Sequence, residues 1–505
     1  MKVTDAPFAL LMVRPSAEFT LKSNRTRRRL QQALIHNLTD ALESHGLTYP
    51  ISGAWNTYFV ETTAPGEAAE VLCRVAGIGS IVPIARVSRA EVDEIVRAGV
   101  EAFAEVVQGK RFAVRARRTG THPFRSRDVE VALGAGLRPF AQKVDLTQPE
   151  VTVHVDIQDS RAFLYAETLR GLGGLPIGSQ GKALVLISGG FDSAVAAWLI
   201  MRRGVAVDYV FCNLGGKAYE RAVIQVAKVL ADNWSYGTHP RFYSIDFTDV
   251  IIEMRQKTRS SYWQIVLKRL MYGAGSLVAR RSGAVALVTG ESIGQVSSQT
   301  LKNLAAIEAG SDLPILRPLL TYDKEDIIHL ARRIGTATLS ERVREYCALT
   351  PDHPVTGASP ETLDREMAKI DLGVLHRAVE RVEEYDLRSL STSEVVLPYL
   401  FTETIPSGAE IIDCQPESAY RQWHYPGARH MDPWDLLKQF SQLDRNRVYV
   451  LYCPQGLQTA YVAEVMQRAG YEAYSFKGGT PALRTYCENK PAAAVGASGQ
   501  PGEEA

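Results

Sequence analysis

The stretch from residue 183 to residue 204 constrains the fold of this 505-residue chain more than any other. It opens with a short apolar run, residues 183–187, of the kind that forms a buried parallel strand. Good helix formers occupy residues 194–203, and Gly204 ends them. The turn between strand and helix consists of Ser188, Gly189, Gly190, Phe191, Asp192 and Ser193. This order predicts a phosphate site, because glycines let the backbone approach an anion and the N–H groups of the helix start point towards it.

The SGG-x-DS pattern of this turn resembles the signature of the ATP pyrophosphatase (PP-loop) superfamily. Such enzymes cleave ATP to AMP and pyrophosphate while they adenylate a substrate. The turn is not a Walker loop, since no Gly-Lys-Ser/Thr closes it. A dinucleotide fingerprint is also disfavoured, because the glycines from Gly171 onward follow no convincing strand. The plain alternative is a ligand-free helix cap rich in serine and glycine.

Length and composition predict a multidomain globular protein. A chain of 505 residues suggests three or four domains, and 46% hydrophobic with 22% charged residues is typical of soluble proteins. No run approaches 18 apolar residues and the start lacks a signal-peptide pattern, so we expect a cytoplasmic protein without a membrane segment. The six cysteines form no C-x-x-C pair, and we therefore expect no structural metal site.

The alternation of apolar runs divides the chain into four predicted domains and a tail. Residues 1–75 read as a ferredoxin-like α+β domain, and residues 76–170 as a second α+β unit. Residues 176–395, with strand-like runs at 183–187, 207–213, 241–246 and 284–289, predict a doubly wound parallel sheet. Residues 403–488 form the last domain, and the tail 489–505 is rich in Ala, Gly and Pro and is expected to be disordered.

Basic residues cluster in two places although the net charge is only +1. Residues 19–39 hold five basic residues and no acid, and residues 109–143 hold nine against two acids. The second cluster follows a predicted strand and leads into a helix for which Ser126 is the predicted N-cap. This block resembles a THUMP domain, an RNA-binding module of tRNA-modifying enzymes, although a solvated surface is the plain alternative. The candidate tRNA-binding residues are Arg115, Arg117, Arg118, Arg125 and Arg127.

Two further segments sharpen the resemblance. Residues 289–300 read TGESIGQVSSQT, and residues 317–324 read RPLLTYDK. With the glycine turn and the THUMP-like block, in this order, they resemble the bacterial tRNA 4-thiouridine synthase (tRNA sulfurtransferase) family up to about residue 488. The resemblance implies a tRNA uracil 4-sulfurtransferase that uses ATP and Mg²⁺ to activate uridine 8, and that also serves thiamine thiazole synthesis.

The resemblance also implies particular nucleotide contacts. Asp192 is expected to help place Mg²⁺ or the loop, and Lys324 is a candidate cation for the developing charge, with a solvated lysine as the plain alternative. Ser188, Gly189, Gly190 and Ser193 are expected to cradle the pyrophosphate. The resemblance assigns further nucleotide contacts to the backbone of Leu186 and Ile187 and to Lys268, Gly290 and Gln299.

The last domain resembles a rhodanese domain, with Cys453 between a strand and a helix at the head of its active loop. A thiolate or persulfide there would be stabilised by the helix N-terminus. In the resembled family a cysteine at the position of Cys347 resolves the persulfide as a disulfide; from the sequence alone Cys347 reads as an ordinary surface or core cysteine. Pro454 and Gln458 depart from common rhodaneses, which favours a cysteine desulfurase over a small anion as sulfur donor. We interpret the remaining cysteines as structural: Cys73, Cys212, Cys414 and Cys487.

Two other functions stay open at this point. One is a PP-loop amidating or lysine-attaching tRNA ligase, against which the cysteine pair and the rhodanese domain argue. The other is a non-catalytic tRNA-binding sulfur carrier, against which the intact turn at 188–193 argues. The expected partners are tRNA, a cysteine desulfurase and the thiazole sulfur-carrier protein. The oligomeric state stays open, with a homodimer as one option, and residues 386–402 are the expected hinge before the rhodanese domain.

Overall fold

A computed structural model provides the structure, which describes residues 9–19, 22–54, 57–341, 343, 353–391, 400–415, 417–453 and 457–489. The predicted tail beyond residue 489 and Cys347 lie outside these residues. The chain forms two compact units, and they are described separately. The first comprises residues 1–181, 200–206 and 232–238, and the second comprises residues 182–199, 207–231 and 239–505. None of the described helices combines the length and apolarity required to span a bilayer.

The N-terminal sheet of the first unit has a ferredoxin-like topology. Its strands are Ala9–Pro15, Ile51–Ala54, Thr57–Thr62, Ile78–Ile84 and Leu169–Arg170, and its helices are Asn24–Glu43 and Pro65–Cys73. The strands lie in the order fifth, fourth, first, third, second, with antiparallel neighbours. Leu30, Leu34 and Leu38 recur every four residues on the first helix and are fully buried. The strand Ile78–Ile84 shows that this sheet continues past residue 75, where the sequence placed a domain boundary.

The second sheet of the first unit contains the basic strand and the predicted hairpin. Its strands are Arg86–Arg89, Arg111–Thr119, Lys143–Val144, Val151–Gln158 and Arg161–Tyr165, and its helices are Val92–Phe103 and Ser126–Leu137. The last two strands pair antiparallel around Asp159, whose φ of +50° suits a tight turn. The predicted cap at Ser126 is wrong by one residue, because Ser126 is already helical. Arg125 occupies the cap position, and its N–H donates to the Asp128 carboxylate at 2.7 Å.

A six-stranded, mostly parallel sheet forms the centre of the second unit, as predicted. Its strands are Lys182–Leu186, Ala206–Asn213, Arg241–Asp246, Leu287–Val288, Ile315–Leu316 and Glu383–Asp386. Its helices are Phe191–Arg202, Gly216–Trp234, Thr248–Lys257, Trp263–Ser282, Leu301–Glu308, Lys324–Ile334, Ala337–Ser340, Pro360–Met367 and Leu372–Glu380. The strand order is fifth, fourth, first, second, third, sixth. The sixth strand pairs antiparallel with the third, whereas the pairs first–fourth, second–third and fourth–fifth are parallel. The order therefore reverses beside Lys182–Leu186, which is where ligands bind in open α/β sheets.

A parallel five-stranded sheet follows in the same unit. Its strands are Phe401–Thr402, Glu410–Asp413, Arg429–His430, Val448–Tyr452 and Glu472–Phe476, and its helices are Glu417–Gln422, Pro433–Gln439, Leu457–Arg468 and Gly479–Glu488. Alternate residues of its central strands belong to two different apolar clusters: Ile412 and Leu451 lie in one, Ile411 and Val450 in the other. The sheet is therefore covered on both faces, as parallel sheets are.

Candidate active site

A cavity of about 600 Å³ lies at the point where the strand order reverses in the six-stranded sheet. Eight of the ten predicted nucleotide-binding residues line it: Leu186, Ile187, Ser188, Asp192, Ser193, Lys268, Gly290 and Gln299. Gly189 and Gly190 are not among the lining residues. Apolar side chains, including Phe211, Leu267 and Met271, complete the wall. The structure thus brings the predicted residues into one site of the size and mixed polarity of a small-molecule pocket.

The glycine turn is held in shape by its own serines. The Ser188 N–H donates to the Ser193 Oγ at 3.2 Å, and the Ser193 hydroxyl lies 3.3 Å from the Gly190 carbonyl. The Tyr219 hydroxyl donates to the Ser188 carbonyl at 3.2 Å. Gly189 has a φ of +79°, and a Cβ there would lie 2.7 Å from a methyl of Val343. The turn therefore needs glycine at 189 for backbone and space, and its internal hydrogen bonds hold it in shape.

Gly290 brings the end of the neighbouring strand against this turn. A Cβ at Gly290 would lie 2.6 Å from the Asp192 carbonyl carbon and 2.6 Å from the Ser193 nitrogen. Such distances are shorter than any real contact, so a side chain here would push the two segments apart. The sequence indicated a role for Gly290 only through the family resemblance. The structure adds a physical reason why this position requires glycine, namely its close packing against the turn.

Asp192 lines the cavity, and both of its carboxylate oxygens accept hydrogen bonds. Lys324 donates to Oδ1 at 2.8 Å, and Gln295 donates to Oδ2 at 2.8 Å. The Lys324 Nζ also lies 5.6 Å from the centre of the Phe191 ring. Asp192 therefore ties the first turn of its helix to two other segments, while a contact to Mg²⁺ stays a prediction. Among the described ranges no group of three or more His, Cys, Asp or Glu is placed to hold a metal ion.

The sequence analysis missed a buried glutamate in the cavity wall. Glu291 is 4% exposed and accepts hydrogen bonds from Lys268 at 2.6 Å, Tyr272 at 2.6 Å, Thr289 at 3.0 Å and Arg317 at 2.8 Å. Lys268 thus points at Glu291, and its contact with a nucleotide stays a prediction. The only signal in the sequence was an acid two residues after a strand, within a segment quoted for other reasons.

The charges around Glu291 set its ionisation. Burial alone would raise the pKa of Glu291, but the charge of Lys268 and the hydrogen bonds from Lys268, Tyr272 and Arg317 lower it from 4.5 to about 2. Burial and the Glu291 carboxylate both raise the pKa of Tyr272. Burial alone would lower the pKa of Arg317, but Tyr272 and Glu291 raise it above its ordinary value. Glu291 in the cavity wall is therefore ionised at neutral pH, and it lies between the Lys268 ammonium and the Arg317 guanidinium.

The candidate RNA surface lies in the first unit, along Arg111–Thr119 and the start of Ser126–Leu137. Arg117, Arg118, Arg125 and Arg127 are exposed, and within the described parts of the chain none of the four forms an ion pair. Arg118 donates to the His122 carbonyl at 3.3 Å but stays exposed, whereas Arg115 is half-buried and donates to the Leu146 carbonyl at 2.7 Å. Four of the five predicted arginines therefore present unneutralised guanidinium groups to solvent, and Arg115 is partly committed to the fold.

Cys453 directly follows the strand Val448–Tyr452, and the helix Leu457–Arg468 begins four residues later, as predicted. The residue is only 3% exposed, and its Sγ lies 3.5 Å from the Thr459 hydroxyl, which in turn lies 2.7 Å from the Ser475 hydroxyl. The Cys453 carbonyl accepts from the Thr480 N–H at 3.1 Å. Pro454 lies outside the described residues, as does the side chain of Gln458.

The expected hinge joins two sheets of the second unit. Glu383–Asp386 pairs with Arg241–Asp246 in the six-stranded sheet, and Phe401–Thr402 pairs with Glu472–Phe476 in the five-stranded sheet. Both ends of the expected hinge are therefore anchored, and residues 392–399 lie outside the described residues.

The fold and the site together define a PP-loop protein that also carries a THUMP domain and a rhodanese-like domain. A family model described as "Thiamine biosynthesis protein (ThiI)" matches residues 178–372, a THUMP domain model matches residues 89–167, and a rhodanese-like model matches residues 400–485. The tRNA sulfurtransferase of Pyrobaculum aerophilum is 38% identical over 469 residues, which cover 91% of this chain and 95% of the relative. That of Yersinia pestis is 36% identical over 466 residues, which cover 90% and 96%. The chain therefore belongs to the tRNA sulfurtransferase family.

Two solved structures agree with this assignment at the level of the fold. A 4-thiouridine synthetase–RNA complex with bound ATP superposes with a TM-score of 0.67 at 24% identity, and covers 75% of this chain and 99% of its own. PH1313 from Pyrococcus horikoshii superposes with a TM-score of 0.53 at 26% identity, and covers 65% and 99%.

Proposed function

We propose that this chain uses ATP to exchange the C4 oxygen of uridine 8 in tRNA for sulfur, which makes 4-thiouridine. The observation that carries the proposal is the hydrogen-bonded turn at 188–193, with Asp192 in the lining of a cavity of about 600 Å³, in a chain that also has Cys453 at a rhodanese-like strand end. The tRNA sulfurtransferase name of the relatives and the ATP in the RNA-bound structural neighbour support the same reading.

Uridine oxygen is a poor leaving group, and adenylation by ATP converts it into AMP, which leaves readily. The N–H groups at the start of Phe191–Arg202 suit the pyrophosphate part, and the apolar wall suits a base. We expect Lys268, which lines the cavity, and Lys324, which contacts Asp192, to offset developing negative charge once a ligand displaces their present partners. Mg²⁺ would bridge phosphate oxygens, and Asp192 is the carboxylate best placed to help hold it.

Sulfur would reach the activated uridine from a persulfide on Cys453. We propose that Cys347 then closes a disulfide with Cys453, which a cellular reductant opens again. A cysteine desulfurase is the donor we favour, and the thiazole sulfur-carrier protein is a second acceptor. Residues 386–402 would form the hinge that lets the two cysteines meet, since a disulfide requires their Cα atoms about 4.4–6.8 Å apart.

We propose Arg117, Arg118, Arg125 and Arg127 as phosphate contacts, with Arg115 in a supporting place. The domain limits 1–75, 76–170, 176–395 and 403–488 are kept as a proposal, except that strands Ile78–Ile84 and Leu169–Arg170 belong with the first sheet. A cytoplasmic location follows from the tRNA substrate. The ligase alternative is less favoured because it gives no use for Cys453, and the carrier alternative gives none for the cavity.

The experiment that tests the proposal is mass spectrometry of bulk tRNA from a strain that lacks this protein. We expect 4-thiouridine to be absent, to return with the wild-type chain, and not to return with Cys453→Ser. Cys347→Ser should load sulfur on Cys453 but turn over poorly, and wild type after one turnover without reductant should contain a 347–453 cross-linked peptide.

Two results would contradict parts of this scheme. A normal 4-thiouridine content in the deleted strain would overturn the assigned reaction. A wild-type rate for Cys347→Ser during many turnovers without reductant would overturn the disulfide step alone and make Cys347 a structural cysteine.

A further inference from the structure

A second cysteine stands beside Cys453. The strand Glu410–Asp413 pairs in parallel with Val448–Tyr452, and the last pair of this ladder joins Asp413 to Tyr452. The Cys414 N–H donates to the Tyr452 carbonyl at 2.8 Å, and this is one of the two bonds that hold the Asp413–Tyr452 pair. Both cysteines come directly after this last pair, so continuing the register by one residue brings Cys414 opposite Cys453.

The two side chains also share a face of the sheet. Successive residues of a strand point to opposite faces. Ile412 and Cys414 lie in the same apolar cluster as Leu451 and Cys453, whereas Val450 and Tyr452 lie in the cluster of the opposite face. Both cysteines are reduced and almost fully buried, at 2% and 3% exposure. The two thiols are therefore neighbours inside one cluster and not across the sheet from each other.

Their spacing suits a covalent link. Neighbouring strands lie about 4.7–4.9 Å apart, and a disulfide accepts Cα separations of about 4.4–6.8 Å. Each cysteine directly follows the last paired residue of its strand. A small movement of the backbone at these two positions would therefore break only one ladder bond, from the Cys414 N–H to the Tyr452 carbonyl. The sequence analysis interpreted Cys414 as structural, because nothing in the sequence links positions 39 residues apart.

We propose that Cys414 is a second resolving thiol, which discharges a Cys453 persulfide that has not been used. This inference rests on the proposed role of Cys453 as the persulfide carrier. The Cys414 sulfur attacks the Cys453 Sγ, a new S–S bond joins the two residues, and the bond from Sγ to the outer sulfur breaks. The outer sulfur leaves as hydrosulfide with the proton of Cys414, and it takes the two electrons that the two thiol sulfurs lose. No external oxidant is required, and a dithiol reductant reopens the disulfide.

The reaction is expected to be slow, which suits a discharge route. Burial, with the charges of Cys453 and Asp413 nearby, raises the pKa of Cys414 well above its ordinary value. Only the thiolate attacks efficiently, so Cys414 reacts more slowly than an exposed cysteine would. Sulfur transfer to an activated uridine would then be faster than the attack by Cys414 whenever tRNA and ATP are present. The discharge would occur in chains that carry a persulfide but have no substrate bound.

The test uses the full-length chain, a cysteine desulfurase and sulfur-labelled cysteine, without ATP or tRNA. All arms carry Cys347→Ser, so that the other resolving cysteine is absent. One arm has no further change, the second adds Cys414→Ala, and the third adds Cys487→Ala as a matched control. Cys487 lies on Gly479–Glu488, whose Leu483 packs against the opposite face of the same sheet. The lifetime of label on Cys453, hydrosulfide release and disulfide peptides are measured.

We expect the label to survive about tenfold longer with Cys414→Ala, because an oriented neighbouring group reacts much faster than a dissolved one. The control should behave like the first arm. Without Cys414→Ala, hydrosulfide and a disulfide between the tryptic peptides 389–421 and 448–468 should appear together, and each peptide contains one cysteine.

Three outcomes would overturn the inference. Equal lifetimes in all arms would do so and leave the proposed function intact. Label that never reaches Cys453 in any arm would overturn the persulfide role itself, and the inference with it. If Cys414→Ala fails to fold, the first arm alone tests the inference. Loss of label from Cys453 in that arm without a disulfide between peptides 389–421 and 448–468 would contradict the attack by Cys414.

Discussion

Glu291→Gln should destabilise the six-stranded-sheet domain by about 3 kcal/mol at neutral pH. The fall of the Glu291 pKa from 4.5 to about 2 corresponds to roughly this stabilisation, because a tenfold change in a proton equilibrium is worth about 1.4 kcal/mol. The glutamine amide lacks the negative charge that Lys268 and Arg317 contact. Its NH₂ group is a hydrogen-bond donor, and it would face side chains that are themselves donors. The substitution leaves Lys268 without its anionic partner, and Arg317 keeps only the half-exposed Glu308.

The sign of the pH dependence follows from the lowered pKa. A carboxyl whose folded pKa is depressed contributes stability above its unfolded pKa, near 4.5, and loses it as the pH falls through the folded pKa, near 2. The difference between wild type and Glu291→Gln should therefore be full at pH 7 and should shrink between pH 4.5 and 2. Hydrogen exchange of peptides that cover Lys182–Leu186 and Leu287–Val288 measures the opening free energy of this sheet.

Glu308→Gln is the matched control, because Glu308 also pairs with Arg317 but is half exposed. Exposed ion pairs are typically worth less than about 1 kcal/mol, so this variant should change the exchange little. Equal losses in the two variants would refute the reasoning, as would a Glu291→Gln effect that does not change between pH 7 and pH 2.

Three further predictions concern the other parts of the molecule. Arg117→Ala with Arg118→Ala should weaken tRNA binding and lower the slope of log affinity against log salt by about one for each phosphate that the variant no longer binds, measured by filter binding; unchanged affinity and slope would remove this strand from the RNA surface. Asp192→Ala should abolish thiolation but leave persulfide loading of the rhodanese cysteine intact, and labelled sulfur that fails to load would contradict separate roles for the two domains. Gly290→Ala should weaken ATP binding by about 1–3 kcal/mol in calorimetry, since its Cβ would lie 2.6 Å from the turn, whereas Gly357→Ala, with its nearest atom at 3.7 Å, should bind like wild type.

The general fold could be predicted because its signals are local. The run at 183–187, the glycines and the helix formers after them specify strand, turn and helix within 22 residues, and the structure has them at Lys182–Leu186 and Phe191–Arg202. The parallel sheet then places the ends of several strands at one edge, which is why distant segments such as Gly290 and Gln299 meet the turn. Strand ends were less accurate: the predicted run 284–289 is paired only at Leu287–Val288.

What could not be predicted depends on pairing across long stretches of chain. The sequence of the strand Ile78–Ile84 does not indicate which of the two sheets it joins, because its apolar residues could be buried in either sheet. Glu291 gains its lowered pKa from Lys268 first and then from Tyr272 and Arg317, which lie 23, 19 and 26 residues away in the sequence. The neighbours Cys414 and Cys453 come together only through the register of two strands, which no spacing in the sequence reveals.

The burial of Cys453 places a constraint on any sulfur route through this chain. At 3% exposure its Sγ cannot meet a donor protein's persulfide or a tRNA base in the conformation described, so the residue must become accessible first. The apparent rate of loading is then the intrinsic rate multiplied by the fraction of accessible chains. The same burial shields a loaded persulfide from dissolved thiols, and it leaves the neighbouring Cys414 as a thiol that needs no opening to reach it. On the proposed persulfide role of Cys453, discharge to Cys414 therefore proceeds without the opening that a donor protein or a tRNA base requires.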